Sequence, residues 1–193
     1  MKLDIILAGV GGQGILSIAA IIGTAALKNG YYLKQAEVHG MSQRGGDVQS
    51  HLRISDKPIH SDLIPMGECD MILSVEPMES LRYLPYLSNK GWVVTNSKPF
   101  INIPNYPELD SVLAEIKKLK NNICINADDI AKEMGAARSM NMVMLGAAAA
   151  SMDIKVEDLQ DAIKEIFERK GEKIVEMNLN AFKKGLEFSK ANK

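Results

Sequence analysis

The chain begins with an apolar run, a cluster of glycines and a second apolar run, KLDIILAGVGGQGILSIAAIIG over residues 2–23. Lys2–Ala8 is short, apolar and ended by glycines, which predicts a buried strand. Ile15–Asn29 is long enough for a helix and apolar nearly all round, so it should lie deep in the molecule, with Asn29-Gly30 stopping it. A strand that turns through glycines into a helix is the first half of a βα unit. Such a unit commits the following chain to a sheet that is at least partly parallel. The turn also leaves the first N–H groups of the helix free, which attracts phosphates or carboxylates.

The rest of the chain agrees with that start. Strands are predicted at Tyr31–Glu37, Val48–Ser55, Cys69–Val75, Gly91–Asn96 and Asn122–Asn126. Helices are predicted at Met78–Leu87, with Pro77 in the first turn, and at Glu108–Lys120. After Ala127 the pattern is helical: Asp128–Met134, Ser139–Ser151, Val156–Arg169 and Glu172–Ser189. The predicted class is α/β, a Rossmann-like, mainly parallel sheet with helices on both faces and a helical C-terminal segment. We expect one domain over residues 1–193, with an α/β core to about 127 and a helical part from about 128. Val175, Leu179, Phe182 and Leu186 form one stripe, so the last helix should pack on the core, with a partner or oligomer contact as the alternative.

Composition narrows the function. A net charge of −1 and 5% aromatic residues give no electrostatic footprint for nucleic acid and no base-stacking platform. The three histidines have no metal-ligand spacing. Only Cys69 and Cys124 are present, without a C-x-x-C pair. They read as two small buried hydrophobes, too few for a four-cysteine iron–sulfur cluster, and they suit a reducing cytoplasm. Asp4 and the glycines break a signal-peptide pattern, and the apolar segment 15–27 is too short to span a membrane.

Gly9, Gly11 and Gly14 satisfy G-x-G-x-x-G, the spacing of a dinucleotide-binding turn. That reading needs an acidic residue about 20 positions further on for the ribose hydroxyls. Glu37 stands 23 positions after Gly14. Yet Glu37 runs directly into VHGMSQRGGD, a loop that an ordinary dinucleotide fold does not need. Arg44 before Gly45-Gly46 suits bidentate binding of a phosphate or carboxylate, or a structural pair with Glu37 or Glu76. On these residues alone, an NAD(P)- or FAD-binding enzyme and a nucleotide-sensing module stay open.

GVGGQG, EVHGMSQRGGDVQSHLRIS, DLIPMGECDMILSVEPMESLRYLPYL and VVTNSKP, taken together, resemble the gamma-type domain of the 2-oxoacid:ferredoxin oxidoreductases, and within it the indolepyruvate branch. The likeness is strong to about residue 100 and looser through RSMNMVMLGAAAA. It implies oxidative decarboxylation of a 2-oxoacid with CoA as co-substrate and ferredoxin as electron acceptor. Pyruvate, 2-oxoisovalerate and 2-oxoglutarate are the alternative substrates. The family's chemistry uses thiamine diphosphate with magnesium and [4Fe–4S] clusters. This chain has neither the Gly-Asp-Gly that opens such thiamine sites nor cysteines for a cluster. The resemblance therefore implies a subunit with no redox centre, working beside a large alpha chain that carries them. It marks Gly9, Gly11, Gly12, Gln13 and Gly14 as one motif loop and Ser42, Gln43, Arg44, Gly45 and Gly46 as a second. By the switch-point rule the two should share a rim with Glu76; Asn141 is a further candidate there, or an asparagine that caps or bridges backbone.

Overall fold

The computed structural model describes residues 1–39 and 45–192. In chain order the elements are β1 (Lys2–Val10), α1 (Ile15–Lys28), β2 (Tyr32–His39), β3 (Asp47–Ser55), β4 (Cys69–Ser74), α2 (Pro77–Arg82), β5 (Leu87–Asn96) and α3 (Leu109–Lys117). They continue as β6 (Asn122–Ile125), α4 (Ala127–Glu133), α5 (Met140–Ala149), α6 (Val156–Phe167) and α7 (Glu172–Ala191). Among the described residues the strands form one sheet in the order β2-β3-β1-β4-β5-β6.

β1, β4, β5 and β6 are parallel to one another, while β3 is antiparallel to both β1 and β2. Only β3 is therefore reversed. Its reversal follows from the short link to β2, residues 40–46, which has no room for the crossover that a parallel pair requires. The mainly parallel sheet of the sequence reading holds with that one exception.

Alternation along β1 divides the interior. Leu3, Ile5 and Leu7 point into the larger core with α1, α5, α6 and α7. Ile6 and Ala8 point into the smaller core with Ile64, Cys69 and Tyr83. Asp4 also lies on the smaller side and is buried, its carboxylate gripped by Arg53 at 2.9 and 3.1 Å. A buried carboxylate is tolerated only when paired and hydrogen-bonded in this way. Arg53 also donates to the carbonyls of Ser61 and Leu63, and His51 Nδ1 accepts from the Ile64 amide. Two side chains of β3 thus fasten the irregular segment before β4 to the sheet. Burial, reinforced by Arg53, holds the His51 imidazole below its usual pKa, which keeps Nδ1 an acceptor.

The structure corrects one helix. Met78–Leu87 was predicted helical, but α2 stops at Arg82, residues 84–86 form a tight 3₁₀ turn, and Leu87 already belongs to β5. Pro85 has no N–H for an α-helical bond to Leu81, so the helix cannot continue through it. β5 then shifts register, with Leu87 opposite Cys69 but Trp92 opposite Met71. Gly91 lies in that irregularity, where an added Cβ would sit 2.5 Å from Leu87 Cδ1 and 2.8 Å from the Cys69 carbonyl oxygen.

All ten residues of α5 are buried, between the sheet and α7. The helices cross with their backbones in contact. A Cβ on Gly146 would fall on the Phe182 carbonyl, and one on Gly185 on the Val143 carbonyl. Because neither helix can yield without leaving the core, Gly146→Val or Gly185→Val should cost at least about 2 kcal/mol by overpacking. Gly30→Ala, with φ +74 and open space around it, should cost only about 1 kcal/mol of backbone strain. Urea denaturation of the three variants checks this. A Gly146→Val midpoint no lower than that of Gly30→Ala contradicts the close crossing.

Candidate functional site

The two glycine motifs meet because β1 and β3 form one ladder. Gly9 lies opposite Val48 and Val10 opposite Asp47. The ladder then runs on past both strand ends: the Gly11 amide donates to the Gly46 carbonyl at 2.8 Å, and the Gly45 amide to the Gly11 carbonyl at 3.4 Å. Thirty-odd residues of sequence separate them, but they are successive rungs. Gly45 and Gly46 thus stand beside Gly11 at the carboxyl end of β1. Ser42, Gln43 and Arg44 lie outside the described residues.

Side chains brace the loop from below. Gln13 folds inward, its Oε1 accepting from the Val10 amide at 2.8 Å and its Nε2 donating to the Val75 carbonyl at 3.3 Å. It ties the loop to the end of β4. Asn141 reaches up from α5 and donates to the Gly14 carbonyl at 3.2 Å. Gly14 itself is left-handed (φ +82), and an added Cβ would lie 2.5 Å from Asn141 Nδ2. At Gly9 an added Cβ would overlap the Val75 side chain. At Gly9 and Gly14 the loop therefore packs as closely as glycine permits.

Above it lies a cleft of about 470 Å³ between the loop, the start of α1, and β2 and β3. Gly11, Gly12 and Gly14 form its floor, Val10, Ile15, Leu16 and Val48 its apolar flanks, and Glu37 its margin. No side chain caps α1, and its first turn carries no acidic residue. The Ser17 amide donates to the Gly14 carbonyl, and the N–H groups before it, with the positive end of the helix dipole, are left to solvent or a ligand. The cleft can thus hold an anionic group with an apolar neighbour.

Glu37 is where a nucleotide-binding fold would have its ribose carboxylate in sequence, but not in space. β3 lies between β1 and β2, which sets Glu37 two strand spacings from β1, roughly 10 Å. Without β3 the two strands would be neighbours, as the dinucleotide arrangement requires.

Glu76 stands on the same rim, after β4, but its carboxylate points into the protein and does not line the cleft. Oε2 accepts from the Glu79 amide at 2.9 Å, capping α2. Oε1 accepts from the Phe100 amide at 3.3 Å and from the Tyr106 hydroxyl. Burial raises the Glu76 pKa, and these donors act in the opposite direction. Next to it, Asn96 ends β5 by donating to Asp128 Oδ2 at 2.7 Å and to the Val75 carbonyl at 3.3 Å, and it accepts from the Ala127 amide at 3.1 Å. Sequence reasoning passed over Asn96, Asn102 and Tyr106, which lie in or beside SKPFINIPNYPE, a stretch with no periodic signal.

Among the described residues no three His, Cys, Asp or Glu side chains gather where they could hold a metal ion. The Cys69 thiol is buried against the Asp4 and Met71 carbonyls, and burial pushes its pKa up to about 12. That is the chemistry of a packing residue rather than of a thiolate ligand. No described helix is long and apolar enough to cross a membrane.

Residues 4–188 match the family described as pyruvate ferredoxin/flavodoxin oxidoreductase. The chain is 38% identical over 194 residues to indolepyruvate oxidoreductase subunit IorB of Archaeoglobus fulgidus, covering 96% of this chain and 94% of that one. It is 31% identical over 181 residues to the pyruvate/ketoisovalerate oxidoreductases common subunit gamma of Thermococcus kodakarensis, covering 91% and 93%. Among solved structures it resembles a keto/oxoacid ferredoxin oxidoreductase gamma subunit from Geobacter sulfurreducens, with a TM-score of 0.69, 26% identity and coverage of 98% and 99%. In fold it also resembles the 2-oxoglutarate:ferredoxin oxidoreductase of Magnetococcus marinus, with a TM-score of 0.77 and 24% identity. There it covers 98% of this chain but 31% of that longer one.

The contact between Gly14 and Asn141 can be tested by substitution. Gly12→Ala and Gly14→Ala share a positive φ, but Gly12 has open space around it and Gly14 does not. Gly12→Ala should cost about 1 kcal/mol and Gly14→Ala about 2–3 kcal/mol in urea denaturation. Combining Gly14→Ala with Asn141→Ala should recover part of the difference. Equal costs for the two single variants, or strict additivity in the double, would contradict the contact.

Proposed function

The chain belongs to the pyruvate ferredoxin/flavodoxin oxidoreductase family, and from that premise we propose that it is the beta subunit of an indolepyruvate:ferredoxin oxidoreductase. The reaction converts an aryl pyruvate, CoA and two oxidised ferredoxins to aryl-acetyl-CoA, carbon dioxide, a proton and two reduced ferredoxins. The partner in this reading is a large alpha chain holding thiamine diphosphate, magnesium and [4Fe–4S] clusters. Those groups supply the carbanion chemistry and the one-electron transfers. This chain's share is to bind and to shape, and it is inactive alone.

One observation carries the assignment of the site. The two motif loops are rungs of one ladder, and the cleft they border offers amides and apolar walls. Among the described residues that line it there is no base paired with a nucleophile. Such a cleft suits an anionic, partly apolar ligand delivered to chemistry performed elsewhere. CoA, with phosphates and an extended arm, has both features. We place the glycine floor (Gly11, Gly12, Gly14), with Gly9 beneath it and Gly45 and Gly46 laddered beside it, against CoA or against the alpha chain where it binds CoA. Gln13 holds that floor. Ser42, Gln43 and Arg44 belong to the same motif by sequence.

The second reading is a gamma subunit of a pyruvate, 2-oxoisovalerate or 2-oxoglutarate enzyme, which the 31% identity to a common gamma subunit favours. It ranks lower because the relatives called IorB reach 38% identity over nearly the whole chain. A free-standing NAD(P) or FAD enzyme fits poorly, because β3 displaces Glu37 from the ribose position.

Co-expression with a thiamine- and cluster-bearing alpha chain of this enzyme type should yield a stable complex. With CoA and a viologen dye as acceptor, that complex should prefer indolepyruvate over pyruvate and 2-oxoglutarate by roughly tenfold or more in kcat/KM, about 1.4 kcal/mol of discrimination. A preference for pyruvate moves the assignment to the second reading. A chain that stays solitary and binds NAD(H) at micromolar Kd overturns both.

A further inference from the structure

Glu76 does not touch the cleft, yet hydrogen bonds connect it to the cleft floor. Residues 97–108 contain no helix or strand and cross the rim as a strap, from the end of β5 toward the start of β3. Its first residues are held by Ile125, Asn96 and Asp129; beyond them the contacts that reach the rim are the Phe100 amide and the Tyr106 hydroxyl on Glu76 Oε1, and Asn102 Nδ2 on the Gly45 carbonyl at 2.8 Å. Gly45 and Gly46 are in turn laddered to Gly11.

Three observations indicate that these pins carry weight. Phe100 and Ile101 remain 42% and 71% exposed, so little apolar burial holds the strap and its position depends on the polar contacts. Capping α2 needs only one oxygen, and shorter side chains such as Asp, Ser or Asn do it better than Glu. The extra length of Glu76 is used by the second oxygen, which takes the strap. Finally, Glu76 is fully buried, and such a carboxylate is tolerated because its donors are in place.

We infer that Glu76 is a positioning residue for the glycine cleft, acting through the strap and Asn102 on the Gly45–Gly11 ladder. The inference rests on the reading of that cleft as a CoA or CoA-proximal site, and its mechanical part can be tested separately.

Tyr106→Phe removes one strap pin and keeps the ring. Asn102→Ala, at an exposed position, removes the link to Gly45. Amide hydrogen exchange on the full chain, followed by mass spectrometry, should show faster exchange at residues 45–47 and 11–14 in both variants. The change should be roughly three- to tenfold, as for loss of one hydrogen bond. In the reconstituted complex with CoA varied, KM for CoA should rise several-fold with kcat retained, and the double variant should fall short of the product of the singles. Faster exchange confined to residues 98–108 and α2 means a purely structural strap and overturns the inference, whatever the kinetics. Faster exchange at both glycine loops with unchanged KM for CoA upholds the coupling and overturns the CoA reading of the cleft.

Discussion

The geometry of the rim depends on the antiparallel pairing of β1 with β3. It sets β3 between the first two strands, and it carries the ladder past Val10 and Asp47 until the two glycine motifs exchange hydrogen bonds. Gln13 and Asn141 then brace a loop whose position is already decided by that register. A shift of one residue would turn Leu3, Ile5 and Leu7 toward the smaller core and set Asp4 against α1 and α5. It would also separate Arg53 from Asp4. Core, buried ion pair and cleft are therefore alternatives to be won or lost together.

The same pairing sets this rim apart from the dinucleotide arrangement whose glycine spacing the sequence satisfies. The glycine turn and the uncapped helix end are shared with nucleotide folds, and so is their attraction for anions. What differs is lateral: one reversed strand moves the acidic residue outward. A spacing motif records distance along the chain and cannot register what lies between two strands.

Much of the fold was legible. Glycine-bounded apolar runs marked the strands, and the helical second half showed its stripes, although α1 leaves Leu16 and Leu27 exposed where an all-buried helix was expected. The reversal of β3 was legible in principle from the missing crossover after β2. The end of α2 was missed because the apolar spacing of Tyr83 and Leu84 outweighed Pro85. At the site, the expectation that the two glycine motifs share a rim agrees with Gly45 and Gly46 standing beside Gly11, while Ser42, Gln43 and Arg44 lie outside the described residues. The direction of Glu76 was not readable, because its second oxygen answers to Tyr106 and Phe100, which lie 24 or more residues on in a stretch without periodicity. Hydrogen bonds of that kind follow from three-dimensional closeness and have no spacing rule to betray them.

The close crossing of α5 and α7 bears on how the protein comes into being on the ribosome. Every strand has been made by Ile125, but the helices that cover most of the larger face follow it, and α7 comes last. Until α7 emerges, α5 has nothing to seat Gly146 against, and the outer side of α5 stays uncovered. Synthesis and closure are thus separated in time. For that interval the nascent chain exposes apolar surface of the kind chaperones bind, and burial of the larger core waits on α7.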